Sequence, residues 1–143
     1  MLIMASAMTA SLLFGQPAPT FTGVTQNGET LALSSLAGSK VCLWFYLGTP
    51  KCDSMASAFQ TLQSDFTAKN CKVVGCSAGS VEANAALATN LGLDYPLLCD
   101  TDLRIASAYD ALKGGKATST RAVAVISADG LLSYYWDAKS FET

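Results

Sequence analysis

The chain has 143 residues, 50% of them apolar, with 9 basic and 11 acidic side chains and no histidine. That length suits one domain with a real core. The absence of histidine excludes Cys-His and Ser-His catalysis and most zinc enzymes, and a net charge of −2 without a basic block argues against nucleic acid as a partner.

The first segment, residues 1–14, is apolar and uncharged. It is too short to span a bilayer as a helix. Two readings fit it: the apolar core of a targeting signal, or a first strand with a tail. The domain proper is expected over residues 15–143. Pro17 and Pro19 make its start extended. Asn27-Gly28 is a two-residue hairpin signal joining strands near Phe21–Val24 and Glu29–Leu33. Ser34 to Gly38 reads as one helical turn closed by glycine.

Val41 to Leu47 is an apolar run with β-branched and aromatic residues, the pattern of a buried strand. Past Gly48, Thr49 suits a helix cap and Pro50 the first helical position. Apolar residues at Met55, Phe59, Leu62 and Phe66 predict a helix from Pro50 to about Lys69 with those four on one stripe. Cys71–Cys76 is the next strand. Ser80 and Gly92 bracket an alanine-rich helix over about Val81–Leu91. Tyr95–Cys99 is a short strand. Asp100 or Thr101 should cap a helix reaching about Leu112, with Leu103, Ala106, Tyr109 and Leu112 on one side. After a loop from Lys113 to Thr120, Arg121–Ser127 and Leu131–Trp136 form a hairpin around Ala128-Asp129-Gly130. Alternating strands and helices predict an α/β fold with parallel neighbours in a central mixed sheet, closed by antiparallel strands. That is a thioredoxin-like arrangement with an added N-terminal β-hairpin.

The chemistry should lie beyond the carboxyl ends of the strands. Of the five cysteines, Cys42, Cys52, Cys71, Cys76 and Cys99, none forms a C-x-x-C pair. Cys42, Cys71 and Cys76 lie in or beside apolar runs and read as small buried hydrophobes. Cys52 differs. It falls where a strand hands over to a helix N-terminus, next to Lys51, and both features favour a thiolate. Thr49 can turn its hydroxyl towards a bound substrate oxygen as well as cap the helix. Arg121, one of two arginines, begins an apolar strand. Near Cys52, its guanidinium would hold the thiolate and donate hydrogen bonds to a developing oxyanion.

These residues resemble a known family. Gly15-Gln16-Pro17-Ala18-Pro19-Thr20-Phe21, Thr49-Pro50-Lys51-Cys52, Val73-Val74-Gly75-Cys76-Ser77, Gly92 to Asp100 and Arg121 to Gly130 together resemble a peroxiredoxin of the bacterioferritin-comigratory, or Q-type, subfamily. The resemblance covers about Gly15 to Trp136. It implies thiol peroxidase activity, with Cys52 as the peroxidatic thiolate and Thr49 and Arg121 orienting the peroxide. It implies no metal, haem or flavin. Electrons would come from a thioredoxin-like or other thiol partner.

Ser57 stands where many members of the subfamily carry a resolving cysteine. Cys76, on a strand expected beside Val41–Leu47, and then Cys99, are the internal candidates for that role. The active loop between Tyr46 and Thr49 is shorter than the family's, and its usual final helix is lacking. Those departures support a second reading: an accessory subunit of a larger assembly, such as a photosynthetic membrane complex, or a redox sensor. Plant members are plastid proteins, so the resemblance implies a plastid, with the cytoplasm second. A monomer or homodimer is the expected state otherwise.

Overall fold

The computed structural model describes residues 12–46, 53–112 and 121–137. Residues 1–11 of the expected apolar start (1–14), Thr49, Cys52 and the loop before Arg121 lie outside the described residues.

Two short strands, β1 (Thr22–Val24) and β2 (Thr30–Ala32), pair antiparallel around Asn27-Gly28, but the turn is longer than the two residues expected: the Thr25 N–H meets the Glu29 carbonyl, the Gly28 N–H meets the Thr25 carbonyl, and Gly28 takes a φ of 79°. A single 3-10 turn, Leu33–Leu36, follows, and Gly38 has a positive φ of 93°. Strands β3 (Lys40–Phe45), β4 (Cys71–Ser77), β5 (Leu97–Cys99), β6 (Ala122–Ile126) and β7 (Leu132–Asp137) form a sheet of order β5-β4-β3-β6-β7. β3 pairs parallel with β4, and β4 with β5. β6 runs antiparallel to both β3 and β7. This is the mixed sheet the sequence pattern predicts, and β4 lies beside β3 as expected.

Residues of β3 alternate between two cores. Val41, Leu43 and Phe45 meet Val74, Cys76, Leu98 and Tyr109 on one face. Cys42, Trp44 and Tyr46 meet Val73, Tyr95 and Leu97 on the other. Both faces are buried, so the strand reads as a continuous apolar run. Helices α1 (Asp53–Thr61), α2 (Gln63–Ala68) and α3 (Val81–Leu91) contribute Met55, Phe59, Phe66, Leu87 and Leu91 to the second face. Short helix α4 (Arg104–Ala108) covers the first with Ile105 and Ala106. No helix among the described residues is long and apolar enough to cross a membrane.

Three expectations shift. The helix expected through Lys69 is divided at Leu62, although the Leu62 N–H still bonds to Ala58 and the Phe66 N–H to Leu62. Leu62 itself leaves the predicted stripe and is 44% exposed. The helix expected to reach Leu112 spans Arg104–Ala108 only. Asp100 does cap it, but the carboxylate reaches five and six residues ahead, accepting the N–H groups of Ile105 (3.0 Å) and Ala106 (2.9 Å). Leu103 (φ 59°) and Asp110 (φ 54°) adopt left-handed conformations on either side of it, which confines the helix. The apolar side survives this shortening, since Ala106, Tyr109, Leu103 and Leu112 all pack on the first core. The strand expected from Tyr95 begins at Leu97. α3, by contrast, has the predicted bounds, with the Ser80 hydroxyl accepting the Ala83 N–H and Gly92 left-handed at φ 67°.

Helix α3 leaves the sheet's β5 edge to the hairpin. Buried Gln26 accepts the Leu97 N–H (2.8 Å) and donates to the Tyr95 carbonyl (3.1 Å). Thr25 bridges antiparallel to Leu98. A side-chain amide thus stands where a neighbouring strand's peptide group would.

Candidate active site

The chain leaves β3 after Phe45, and Tyr46 is the last described residue before 47–52. Its position is fixed on several sides. The ring stacks on Trp44 with centroids 4.6 Å apart. The hydroxyl donates to Asn84 Oδ1 at 3.0 Å. Gly75 on β4 makes room beneath: a Cβ there would lie 3.1 Å from Trp44 Nε1 and 3.3 Å from Tyr46 Cε1.

Arg121 stands at the same end of the sheet. β3 and β6 pair Trp44 with Val123 and Phe45 with Ala122. One further step of that register brings Arg121 level with Tyr46, on the face Val123 shares with Trp44. Arg121 is half-buried there. Asp53, the residue after Cys52, opens α1, and α1 packs on this same face through Met55 and Ala56. The sheet therefore brings Arg121 and the start of the helix that follows Cys52 to one face at one end. Thr49 and Cys52 lie outside the described residues, so their distances to Arg121 are not part of this geometry.

The two internal thiols named as candidate resolvers are placed differently. Cys76 is opposite Phe45 in the register, fully buried, and on the first face among Phe45, Leu98, Ile105 and Tyr109. Burial pushes its thiol well above the usual range, and the nearby Asp100 carboxylate and Cys99 push the same way. Cys99 alternates with Leu98 and shares the second face with Leu97, which is the α1 face. It is half-buried, accepting a hydrogen bond from Asn84 Nδ2 at 3.3 Å.

Cys42 and Cys71 sit at the opposite end of the second face. Both fit the expected reading as partly or wholly buried thiols. Burial and then the neighbouring Cys71 push the Cys42 thiol up to about 12. The sign of its effect on stability follows directly. An unfolded thiol ionises near pH 9, while the folded one keeps its proton, so the stabilisation is complete below about pH 9 and is lost as pH rises towards 12. Each pH unit within that window removes up to about 1.4 kcal/mol. We expect the urea midpoint to fall from about pH 9 to about pH 11, and to fall less steeply in a Cys42→Ala protein.

Sequence reasoning passed over two residues of this end. Gly75 carries no signal beyond being a glycine within a strand, which often marks a close approach. Asn84 carries a clearer one. It is spaced i, i+3, i+4 and i+7 with Leu87, Ala88 and Leu91, on the stripe that faces the core, and it is the polar member of that stripe.

The comparisons with known proteins agree with this arrangement. The AhpC/TSA family profile matches residues 14–135. The bcp-type peroxiredoxin of Coxiella burnetii is 34% identical over 134 residues, covering 88% of this chain and 89% of that protein. The chloroplastic peroxiredoxin Q of Populus jackii is 36% identical over 93 residues, 64% of this chain and 44% of that one. Among solved structures, peroxidoxin BcpB from Mycobacterium tuberculosis superposes with a TM-score of 0.81 at 25% identity, covering 92% of this chain and 94% of that chain. The fold is thus the thioredoxin-like peroxiredoxin fold that the element order predicts. The strand end, the helix after Cys52 and the arginine level with Tyr46 fall within the matched region, and the chain belongs to the AhpC/TSA family, on its bacterioferritin-comigratory, Q-type peroxiredoxin branch.

Proposed function

We propose that this protein is a thiol-dependent peroxidase with Cys52 as the peroxidatic residue and Thr49 and Arg121 as its partners. One observation carries the assignment of roles: Arg121 and the start of α1, directly after Cys52, share one face at the carboxyl end of β3. In this reading the Cys52 thiolate attacks one oxygen of hydrogen peroxide or an alkyl hydroperoxide. The sulfur–oxygen bond forms as the oxygen–oxygen bond breaks. The leaving oxygen departs with the electron pair, takes a proton and becomes water or an alcohol. Cys52 is left as a sulfenic acid. The Arg121 guanidinium favours the thiolate over the thiol and meets the charge growing on the leaving oxygen. Family membership and the peroxiredoxin relatives favour this reading over an accessory subunit or a sensor.

A second thiol then condenses with the sulfenic acid, releasing water and forming a disulfide, which a thioredoxin-like dithiol or small thiol reduces. Of the internal candidates, the placement favours Cys99. It lies on the α1 face and is half-buried, whereas the Cys76 thiol is enclosed on the other face. A chloroplast setting is supported by the plant relatives, the chloroplastic peroxiredoxin Q proteins of Populus jackii and Sedum lineare.

The test is the intact mass of the protein seconds after one equivalent of hydrogen peroxide, beside a Cys52→Ser control. The expected result is gain of one oxygen, or loss of two hydrogens where an internal disulfide forms, in the unsubstituted protein only. Equal, slow oxidation of both proteins would remove the peroxidase assignment. Loss of the disulfide in Cys99→Ser but not in Cys76→Ser is the pattern expected for resolution.

A further inference from the structure

Four hydrogen bonds at the carboxyl ends of β3, β4 and β5 run in one consistent sense. The Gly79 N–H donates to Ser77 Oγ (3.1 Å). The Ser77 hydroxyl donates to Asn84 Oδ1 (3.2 Å), and so does the Tyr46 hydroxyl (3.0 Å). Asn84 Nδ2 donates to Cys99 Sγ (3.3 Å). Asn84 is 3% exposed, Ser77 4% and Tyr46 1%. A carboxamide in such a place costs stability unless each polar atom is matched, and an apolar residue would fill the stripe of α3 at no such cost. The surroundings are cut to admit it. A Cβ on Gly79 would come within 2.9 Å of Asn84 Oδ1.

We propose that Asn84 is a positioning residue for the peroxide site, acting through Tyr46. Its carbonyl oxygen fixes the Tyr46 ring at the point where β3 passes into the active loop. The ring is already held on one side by Trp44 and seated over Gly75. The bond to Asn84 holds its hydroxyl end. A β3 end that rocks on this bond would carry the start of the loop with it, and small misplacement of reacting groups is expensive in rate. This inference rests on the assignment of Cys52 as the peroxidatic thiol.

A purely structural role would cost stability and leave the reacting thiol's chemistry alone. The discriminating experiment measures the rate constant for Cys52 oxidation by hydrogen peroxide across a pH series, at matched folded fraction, in Tyr46→Phe, Asn84→Leu and Ser77→Ala proteins. Tyr46→Phe deletes one oxygen and keeps the ring, so it remains informative if Asn84→Leu fails to fold. Expected are rate constants lowered about tenfold to a hundredfold in the first two, with the midpoint of the pH profile moved upwards. Ser77→Ala, which leaves the Tyr46–Asn84 bond in place, should keep both the rate and the midpoint. Unsubstituted rates and an unmoved midpoint in Tyr46→Phe would overturn the proposal while leaving the peroxidase assignment standing. Slow oxidation of the unsubstituted protein would instead remove that assignment, and this inference with it.

Discussion

An Arg121→Gln protein will fold and yet oxidise Cys52 roughly 10²- to 10³-fold more slowly than the unsubstituted protein, the loss typical when one donor to a developing oxyanion is removed. The residue sits beyond the end of β6, level with Tyr46 and half-buried. Its replacement removes no apolar side chain from either core. Its value lies in position and charge. A guanidinium on the face from which α1 rises adds to the positive end of that helix in favouring an ionised sulfur. Two effects should therefore appear together: a lower limiting rate and a pH profile shifted upwards. Arg121→Lys should recover the charge but not the planar pair of donors, and so only part of the rate. Stopped-flow oxidation with the melting midpoint measured alongside checks this. A rate within a factor of about two of the unsubstituted protein would take Arg121 out of the site.

The second large effect is expected at Gly75. A Gly75→Ala protein will lose about 1–3 kcal/mol of stability, the usual cost of overfilling a packed interior. The added methyl would lie 2.8 Å from Leu97 Cδ2, 3.1 Å from Trp44 Nε1 and 3.3 Å from Tyr46 Cε1. None of these neighbours can easily give way. Leu97, Trp44 and Tyr46 are each essentially unexposed, and Gly75 is hydrogen-bonded into a strand paired on both sides. The melting midpoint should drop by several degrees. The rate of peroxide consumption should fall further than the folded fraction does, because relief of the clash displaces the Tyr46 ring. Gly23 provides the comparison. A Cβ there approaches Leu98 Cδ2 at 3.1 Å and Ile105 Cδ1 at 3.4 Å, so the overlap is smaller and involves no aromatic ring. Gly23→Ala should therefore destabilise less and leave the rate unchanged. Equal stability losses in the two proteins would contradict this account.

Features governed by local chemistry were legible in the sequence. Ser80 and Gly92 bound α3 because a hydroxyl cap and a left-handed glycine act within one turn. Asn27-Gly28 located the first hairpin for the same reason. The apolar run at Val41 located the central strand because both its faces are buried. Features that depend on distant partners were not legible. Leu62 fits a helical stripe by spacing, yet the chain turns it outwards where α1 gives way to α2. The helix after Asp100 is short because two non-glycine residues take positive φ, which no periodicity reports. For the site, the sequence proposed Arg121, and the register puts that residue level with Tyr46 on the α1 face. It ranked Cys76 above Cys99 from strand adjacency alone. Adjacency says nothing about which side of the sheet a side chain occupies, and that depends on parity along the strand.

The hairpin's hold on β5 bears on how the chain behaves before it is fully folded. An unpaired strand edge is a template for any passing extended segment, including the same strand of another molecule. Here the stopper on that edge is a glutamine side chain from far earlier in the sequence, together with the Thr25 bridge. Until the hairpin docks, the Leu97 N–H and the Tyr95 carbonyl are open to intermolecular pairing, beside an apolar run that includes Leu97 and Leu98. Once it docks, the same two groups are closed by an amide that cannot propagate a ladder. In the folded chain Gln26 thus closes two backbone groups that would otherwise invite a second strand.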